Sequence, residues 1–157
     1  MKANEKYFAI SSWKEMAEDD LAVAENVKVS LFIRAYHAQQ AIEKMLKAAF
    51  VVSAGKFDTQ NNGWTLPENV KFPKIHDLSC LWGKVVNLGI KDFPQLEKDQ
   101  KDFMDSISKC AVEYRYPYYL KQVGVQVSFP DIDIRLVLEY ATQIYNDLYD
   151  YICKNSM

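Results

Sequence analysis

The sequence predicts an all-α protein, an antiparallel up-and-down helical bundle of four main helices plus one short helix. Apolar residues recur at spacings of three and four through most of the chain, which is the pattern of amphipathic helices. Hydrophobic residues make up 49% and charged residues 25% of the 157 positions, a composition typical of globular proteins. A chain of this length can bury a core of its own, so we expect one domain over residues 1–157.

Two long helices are predicted in the first third of the chain. The first covers residues 5–28, and its inward positions are Trp13, Ala17, Leu21 and Ala24. The second covers residues 31–54 and ends at Gly55, a residue common at helix ends. Its apolar stripe contains Leu31, Ala35, Ala38, Ile42, Met45, Leu46 and Ala49. This second stripe is the clearest evidence for the bundle.

A long irregular connection is predicted to follow. Residues 55–74 are polar and interrupted by Gly63, Pro67 and Pro73. Asp77 then has the position of an N-cap residue for a short third helix that ends near Gly89.

The fourth helix is predicted to begin near Pro94, since proline suits a first helical turn, and to stop at Pro117. Its inward residues are Leu96, Phe103, Ile107, Cys110 and Tyr114. Residues 118–130 form a loop with a short alternating segment, VGVQVSF, that favours an extended strand. The last helix covers residues 131–154, with a buried ridge of Ile134, Leu138, Ala141, Ile144, Leu148 and Ile152.

Composition narrows the function classes. A formal net charge of -2 argues against a protein that coats nucleic acid regardless of sequence, because such proteins need many cations on one face. The three cysteines are widely spaced and odd in number, which favours a reducing compartment. The first residues lack the apolar run of a signal peptide, and no long apolar segment predicts a membrane span. We therefore expect a cytoplasmic protein.

Several enzyme classes have no matching motif. The chain lacks the ExxH pairs of di-iron bundles, as well as HExxH, Walker A and G-x-G-x-x-G sequences. Two histidines and scattered cysteines make a zinc site unexpected, and Cys110 on an apolar ridge is predicted to be a core residue. The sequence thus predicts neither a metal nor a cofactor.

The polar side of the second helix is the first candidate site. At about 100° per residue, His37, Gln40, Lys44 and Lys47 fall within a sector of roughly 80°, nearly opposite the apolar stripe. Such a row could receive a phosphate or the carboxylates of a partner. The alternative is a solvated face on which Glu43 and Lys47 form an ordinary i,i+4 ion pair.

Two further candidates lie at helix ends. His76 precedes the third helix, where it could bind an anion or move a proton, or could simply pack beside the N-cap Asp77. Arg115 lies in the last turn of the fourth helix, where an arginine complements the helix dipole. It is flanked by Tyr114, Tyr116, Tyr118 and Tyr119, and arginine beside aromatic rings is a usual way to hold a base or a phosphate.

Four segments together resemble the HEPN family, the nucleotide-binding helical domain of higher eukaryotes and prokaryotes. They are EDDLAVAE at 18–25, AYHAQQAIEKMLKAAF at 35–50, HDLSCL at 76–81 and AVEYRYP at 111–117. The resemblance implies an antiparallel bundle that forms homodimers, with a cleft near the dimer seam. It also implies a minimal nucleotidyltransferase partner, as in toxin–antitoxin pairs, and nucleotide or RNA as ligand.

The ribonuclease members of that family use an arginine followed four to six residues later by a histidine. Arg115 matches the arginine, but Tyr119, Leu120 and Lys121 stand where the histidine is expected. RNA cleavage without a metal needs groups that accept and return protons, and tyrosine, with an ordinary pKa of about 10, is a poor substitute. The sequence therefore favours a module that binds without cutting.

Three functions follow from these observations. The first is a module that binds a nucleotide, RNA or a minimal nucleotidyltransferase partner without cutting. In it, Arg115, Lys44 and Lys47 engage phosphate, with Gln40 beside them. Tyr116 then stacks on a base and His76 is an accessory donor. The second is a metal-independent endoribonuclease that uses Arg115 and His76 across a dimer. The third is a dimeric scaffold without a ligand.

Overall fold

A computed structural model describes residues 7–109 and 133–156, and in this part of the chain it is an all-helical bundle with one small sheet. The described helices are α1 (Ile10–Glu25), α2 (Leu31–Ala54), α3 (Leu78–Val86), α4 (Lys98–Ser108) and α5 (Ile134–Asn155). Two short strands, β1 (Lys56–Asp58) and β2 (Gly63–Thr65), form an antiparallel hairpin. The all-α prediction is confirmed, and the hairpin was not predicted.

Helix α2 is the centre of the bundle. It packs chiefly against α1 and α5, and less extensively against α3. The predicted stripe is buried from Ala35 to Ala49, whereas Leu31, at the start of the helix, is 44% exposed. Alanines at 38, 41, 48 and 49 are completely buried, and their small side chains let the neighbouring helices come close. More of α2 is buried than a single amphipathic stripe predicts.

Helix α1 is shorter than the sequence predicted at both ends. It begins at Ile10, after Phe8 has paired in extended conformation with Trp64. It ends at Glu25 rather than Lys28 because Asn26 is extended and its side chain accepts a hydrogen bond from the Lys28 backbone N–H. Helix α1 runs antiparallel to α2, as shown by the hydrogen bond from Arg34 Nε to the Ala24 carbonyl at 2.7 Å.

The connection from Gly55 to Lys74 is ordered by the hairpin, which corrects the prediction of an irregular segment. Asp58 caps the turn by accepting hydrogen bonds from the backbone N–H groups of Gln60 and Asn61. Gly55 is required by close approach, since a Cβ atom there would lie 2.5 Å from the Thr65 carbonyl oxygen. The rest of the connection returns along the bundle, and Phe72 contacts the rings of Phe8 and Trp13.

Helix α3 begins as predicted. The Asp77 carboxylate accepts a hydrogen bond from the Cys80 backbone N–H at 2.9 Å, and Gly89 adopts the left-handed conformation just after the helix ends.

Helix α4 begins at Lys98 rather than near Pro94. The physical reason is a capping box between Glu97 and Gln100, which the proline signal had obscured.

Helix α5 begins at Ile134, where Asp133 caps the backbone N–H groups of Arg135 and Leu136. Its ridge is buried from Ala141 to Ile152, but Ile134 and Leu138 are only half-buried. The Tyr145 hydroxyl donates to Glu18 on α1 at 3.1 Å, and burial together with this carboxylate raises the pKa of Tyr145 far above its ordinary value.

The remaining predictions of this region lie outside the described residues. They concern the Cys110 and Tyr114 side chains, the helix stop at Pro117 and the extended segment within 118–130. Among the described helices, none has the length and apolar character needed to cross a membrane.

Candidate functional site

The polar face of α2 is covered rather than solvated. Helix α1 lies over one part of it and the segment that leads into α3 lies over another. The side chains are 29% exposed at His37, 18% at Lys44 and 14% at Lys47, whereas His76, from the covering segment, is 54% exposed. The face is therefore only partly solvated, because these groups contact other protein atoms as well as water.

Asp20 is the first centre of this face. It is buried on α1, and one carboxylate oxygen lies 2.7 Å from Nδ1 of His37. The other oxygen accepts a short hydrogen bond from the Lys44 ammonium group. One carboxylate thus holds two α2 side chains that are two turns apart, and it ties α1 to α2.

Glu43 is the second centre. Its side chain is 6% exposed, and Oε1 lies 2.8 Å from Nδ1 of His76. Its Oε2 lies 3.3 Å from the Lys47 ammonium group. The expected i,i+4 pair between Glu43 and Lys47 is confirmed, although in a partly buried setting. The Lys47 ammonium also lies 6.0 Å from the centre of the Phe72 ring.

Two glutamines extend the second centre. Gln39 is fully buried, and its amide nitrogen donates to the His76 carbonyl at 3.0 Å and to Glu43 at 3.4 Å. Gln40 donates to the Gln39 side-chain oxygen at 2.6 Å. We call the whole group the α2 polar cluster, which consists of Asp20, His37, Gln39, Gln40, Glu43, Lys44, Lys47 and His76.

The charges of this cluster are balanced. Asp20 and Glu43 supply two negative charges, and Lys44 and Lys47 supply two positive charges. Within residues 7–109 and 133–156, no group hydrogen-bonds to the Nε2 atom of either His37 or His76. Each imidazole is therefore oriented by a carboxylate through one nitrogen and can offer the other nitrogen to a ligand.

The positions of the cluster follow from helical spacing. On α1, Asp20 lies three residues after Ala17 and four before Ala24, both of which are buried, so it must face α2. On α2, Glu43 borders the predicted polar sector, and Gln39, one turn earlier, lies nearer the apolar stripe. A carboxylate in an apolar stripe, as at Asp20, was a signal that could have placed this residue in the site.

The predicted site residues are brought together in part. Gln40, Lys44, Lys47 and His76 all belong to the α2 polar cluster, and His76 reaches it through Glu43. Asp77 caps α3 beside it, so the capping alternative and the functional one are compatible. Arg115 and Tyr116 lie outside the described residues, and their approach to this cluster stays a prediction. Asp20, Gln39 and Glu43 were not predicted as site residues.

A second concave surface is acidic. A groove of about 680 Å³ lies between the segment that precedes α4 and the end of α5. Asp92, Asp147 and Asp150 line it with a single cation, Lys154, among its lining residues. Burial and the charge of Asp150 raise the pKa of Asp147. This surface disfavours phosphate and contains none of the predicted site residues.

In the described part of the chain, no three His, Cys, Asp or Glu side chains are grouped closely enough to bind a metal ion.

Comparisons of the chain with protein families, with curated proteins and with solved structures find no match. The resemblance to the HEPN family stays a prediction from the four sequence segments.

Proposed function

We propose that this protein is a HEPN-like helical module that binds the phosphate groups of a nucleotide or RNA at the α2 polar cluster, without cutting. The supporting observation is the meeting of two lysines and two carboxylate-oriented imidazoles on one partly open face. Ammonium groups are donors that phosphate oxygens accept from, whereas an imidazole whose Nδ1–H faces a carboxylate donates to phosphate through Nε2 only as the imidazolium.

The chemistry of each residue supports a division of roles. Lys44 and Lys47 lie on flexible stems and supply positive charge. His37 and His76 are more exposed than the two lysines, and Gln40 adds an amide that can bond to a base or a sugar. Arg115 and Tyr116, by resemblance to the family's RYP segment, would add a phosphate contact and a stacking face.

Removal of the two lysines tests this function. We expect Lys44→Met combined with Lys47→Met to weaken binding of a short fluorescent RNA and of a nucleoside diphosphate at least roughly tenfold, because charge-assisted contacts to phosphate are lost. Methionine keeps an apolar stem in each partly buried position. Fluorescence polarisation for the RNA and calorimetry for the nucleotide measure the affinities, with circular dichroism as the check on folding.

Lys101→Met is the matched control. Lys101 is exposed on α4, so its substitution removes a positive charge from the surface and leaves the cluster intact. We expect a change in affinity of less than about twofold, as for a distant charge that salt screens. If the folded double variant and the Lys101 variant bind like the original chain, the proposed site is wrong.

A ribonuclease is the second candidate, and one observation favours it. The contact of Nδ1 of His76 with Glu43, and that of His37 with Asp20, orient imidazoles as in general acid–base catalysis. In this mechanism His76 would act with Arg115, as the sequence suggested. The RNA samples of the binding experiment also test it, because cleavage in the presence of a chelator, lost in His76→Asn, would establish the enzyme.

The dimer and the minimal nucleotidyltransferase partner rest on the resemblance alone. A partner protein could supply acidic groups to the same cluster, and copurification with a transferase would point to this source. A homodimer that binds neither nucleotide nor RNA would favour the scaffold alternative.

A further inference from the structure

Both lysines of the α2 polar cluster already hold an acidic group. The Lys44 ammonium bonds to Asp20 from α1, and the Lys47 ammonium lies 3.3 Å from Glu43 on the preceding turn. Both carboxylates are buried, and both also hold an imidazole. A phosphate that enters this face therefore meets ammonium groups whose charge is already compensated.

We infer that Asp20 and Glu43 act as internal substitutes for the ligand's phosphates, so that binding exchanges each carboxylate–lysine contact for a phosphate–lysine contact. This inference rests on the proposed function and adds its regulation. Carboxylate and phosphate oxygens accept the same charge-assisted hydrogen bonds from an ammonium group, which makes the exchange chemically simple. Lysine suits it because its long stem can carry the charge from one acceptor to the other.

The spacing of the lysines indicates the class of ligand. Lys44 and Lys47 are three residues apart on α2, which is a rise of about 4.5 Å along the helix. Their two flexible stems start from neighbouring turns of one helix, so a ligand with two anionic groups can engage both ammonium groups. The shared chemistry is a pair of neighbouring phosphates, either the diphosphate of a free nucleotide or successive phosphates of an RNA strand.

The exchange also affects the other contacts of the two carboxylates. Asp20 joins α1 to α2, and Glu43 holds His76 at the entrance to α3. When a ligand takes the lysines, each carboxylate keeps its imidazole as partner, so neither acidic group is left buried alone. The two histidines thus make the exchange possible at a buried site.

Neutral replacements of the carboxylates test the inference. We expect Asp20→Asn and Glu43→Gln each to tighten binding of a nucleoside diphosphate or a short RNA about tenfold, because the competing internal acceptor loses its charge. Inorganic pyrophosphate, the free nucleotide and an RNA without terminal phosphates are the three probes, and they separate the two phosphate sources. Asp19→Asn is the matched control, since Asp19 is the exposed neighbour of Asp20 on α1 and carries the same charge.

A thermal measurement keeps the test decisive if a variant folds poorly. Because a ligand stabilises the folded state more when it binds more tightly, pyrophosphate should raise the melting temperature of each carboxylate variant more than that of the original chain. Tighter binding or a larger thermal shift in the Asp20 and Glu43 variants, but not in Asp19→Asn, supports the exchange, and so does binding seen only in those variants.

The opposite results separate the two claims. Binding by the original chain that is unchanged or weaker in both carboxylate variants overturns the exchange and leaves the binding function in place. Absence of binding in the original chain and in every variant overturns both.

Discussion

Replacement of Leu46 by alanine is expected to lower the free energy of unfolding by about 3 kcal/mol, because it leaves a cavity at the centre of the bundle. Leu46 is 0% exposed and lies on α2, the helix against which α1 and α5 both pack. Packed neighbours close such a space only in part. Urea denaturation followed by circular dichroism measures the change.

Leu31→Ala is the internal comparison for this substitution. Leu31 lies on the same helix, and its substitution removes the same atoms. Because Leu31 is 44% exposed, the substitution should lower the free energy of unfolding by at most about 1 kcal/mol. Similar losses of stability for the two variants would contradict the burial of Leu46 in the core of the bundle. This pair of measurements requires no knowledge of function.

Replacement of Arg34 by methionine is expected to cost about 2 kcal/mol of stability, the range of a hydrogen bond from a charged donor. Arg34 is buried in the first turns of α2, and its Nε donates to the Ala24 carbonyl at 2.7 Å. That carbonyl belongs to the last turn of α1, where the helix itself supplies no donor. Methionine keeps much of the apolar stem, so the loss of stability measures mainly the contribution of the hydrogen bond.

Arg135→Met provides the matched surface substitution. Arg135 is exposed in the first turn of α5, and its loss should change the stability by no more than about 0.5 kcal/mol. If Arg34→Met is as mild as Arg135→Met, then Arg34 does not fasten the end of α1. Both variants are measured by the same urea titration.

The helices were predictable because their apolar spacing survives in the packed structure. Helix α2 has the bounds that the sequence predicted, and Asp77 caps α3 as expected. The errors lie where side chains decide the end of an element: Glu97 starts α4 and Asn26 ends α1. The hairpin also pairs with Phe8 through Trp64, a contact over more than fifty residues that no local pattern contains.

Only the part of the site that lies on α2 was predictable from the sequence. Helical spacing placed Lys44 and Lys47 on one face of α2, but it could not show which element would cover that face. The acidic partner of Lys44 comes from α1, and His76 arrives from the far end of a long connection. Tertiary packing therefore pairs the lysines with carboxylates. A ligand is then expected to replace these carboxylates rather than to bind free cations.

The central claim is that phosphate binds at the α2 polar cluster, and a nuclear magnetic resonance titration tests it most directly. Isotope-labelled protein is titrated with pyrophosphate and then with a short RNA, and the backbone amide shifts are followed. The account predicts that, among the described residues, the largest changes fall at residues 37–47, at Asp20 and at His76. Shifts concentrated instead along the acidic groove of Asp92 and Asp150, or no shifts at millimolar ligand, would contradict it.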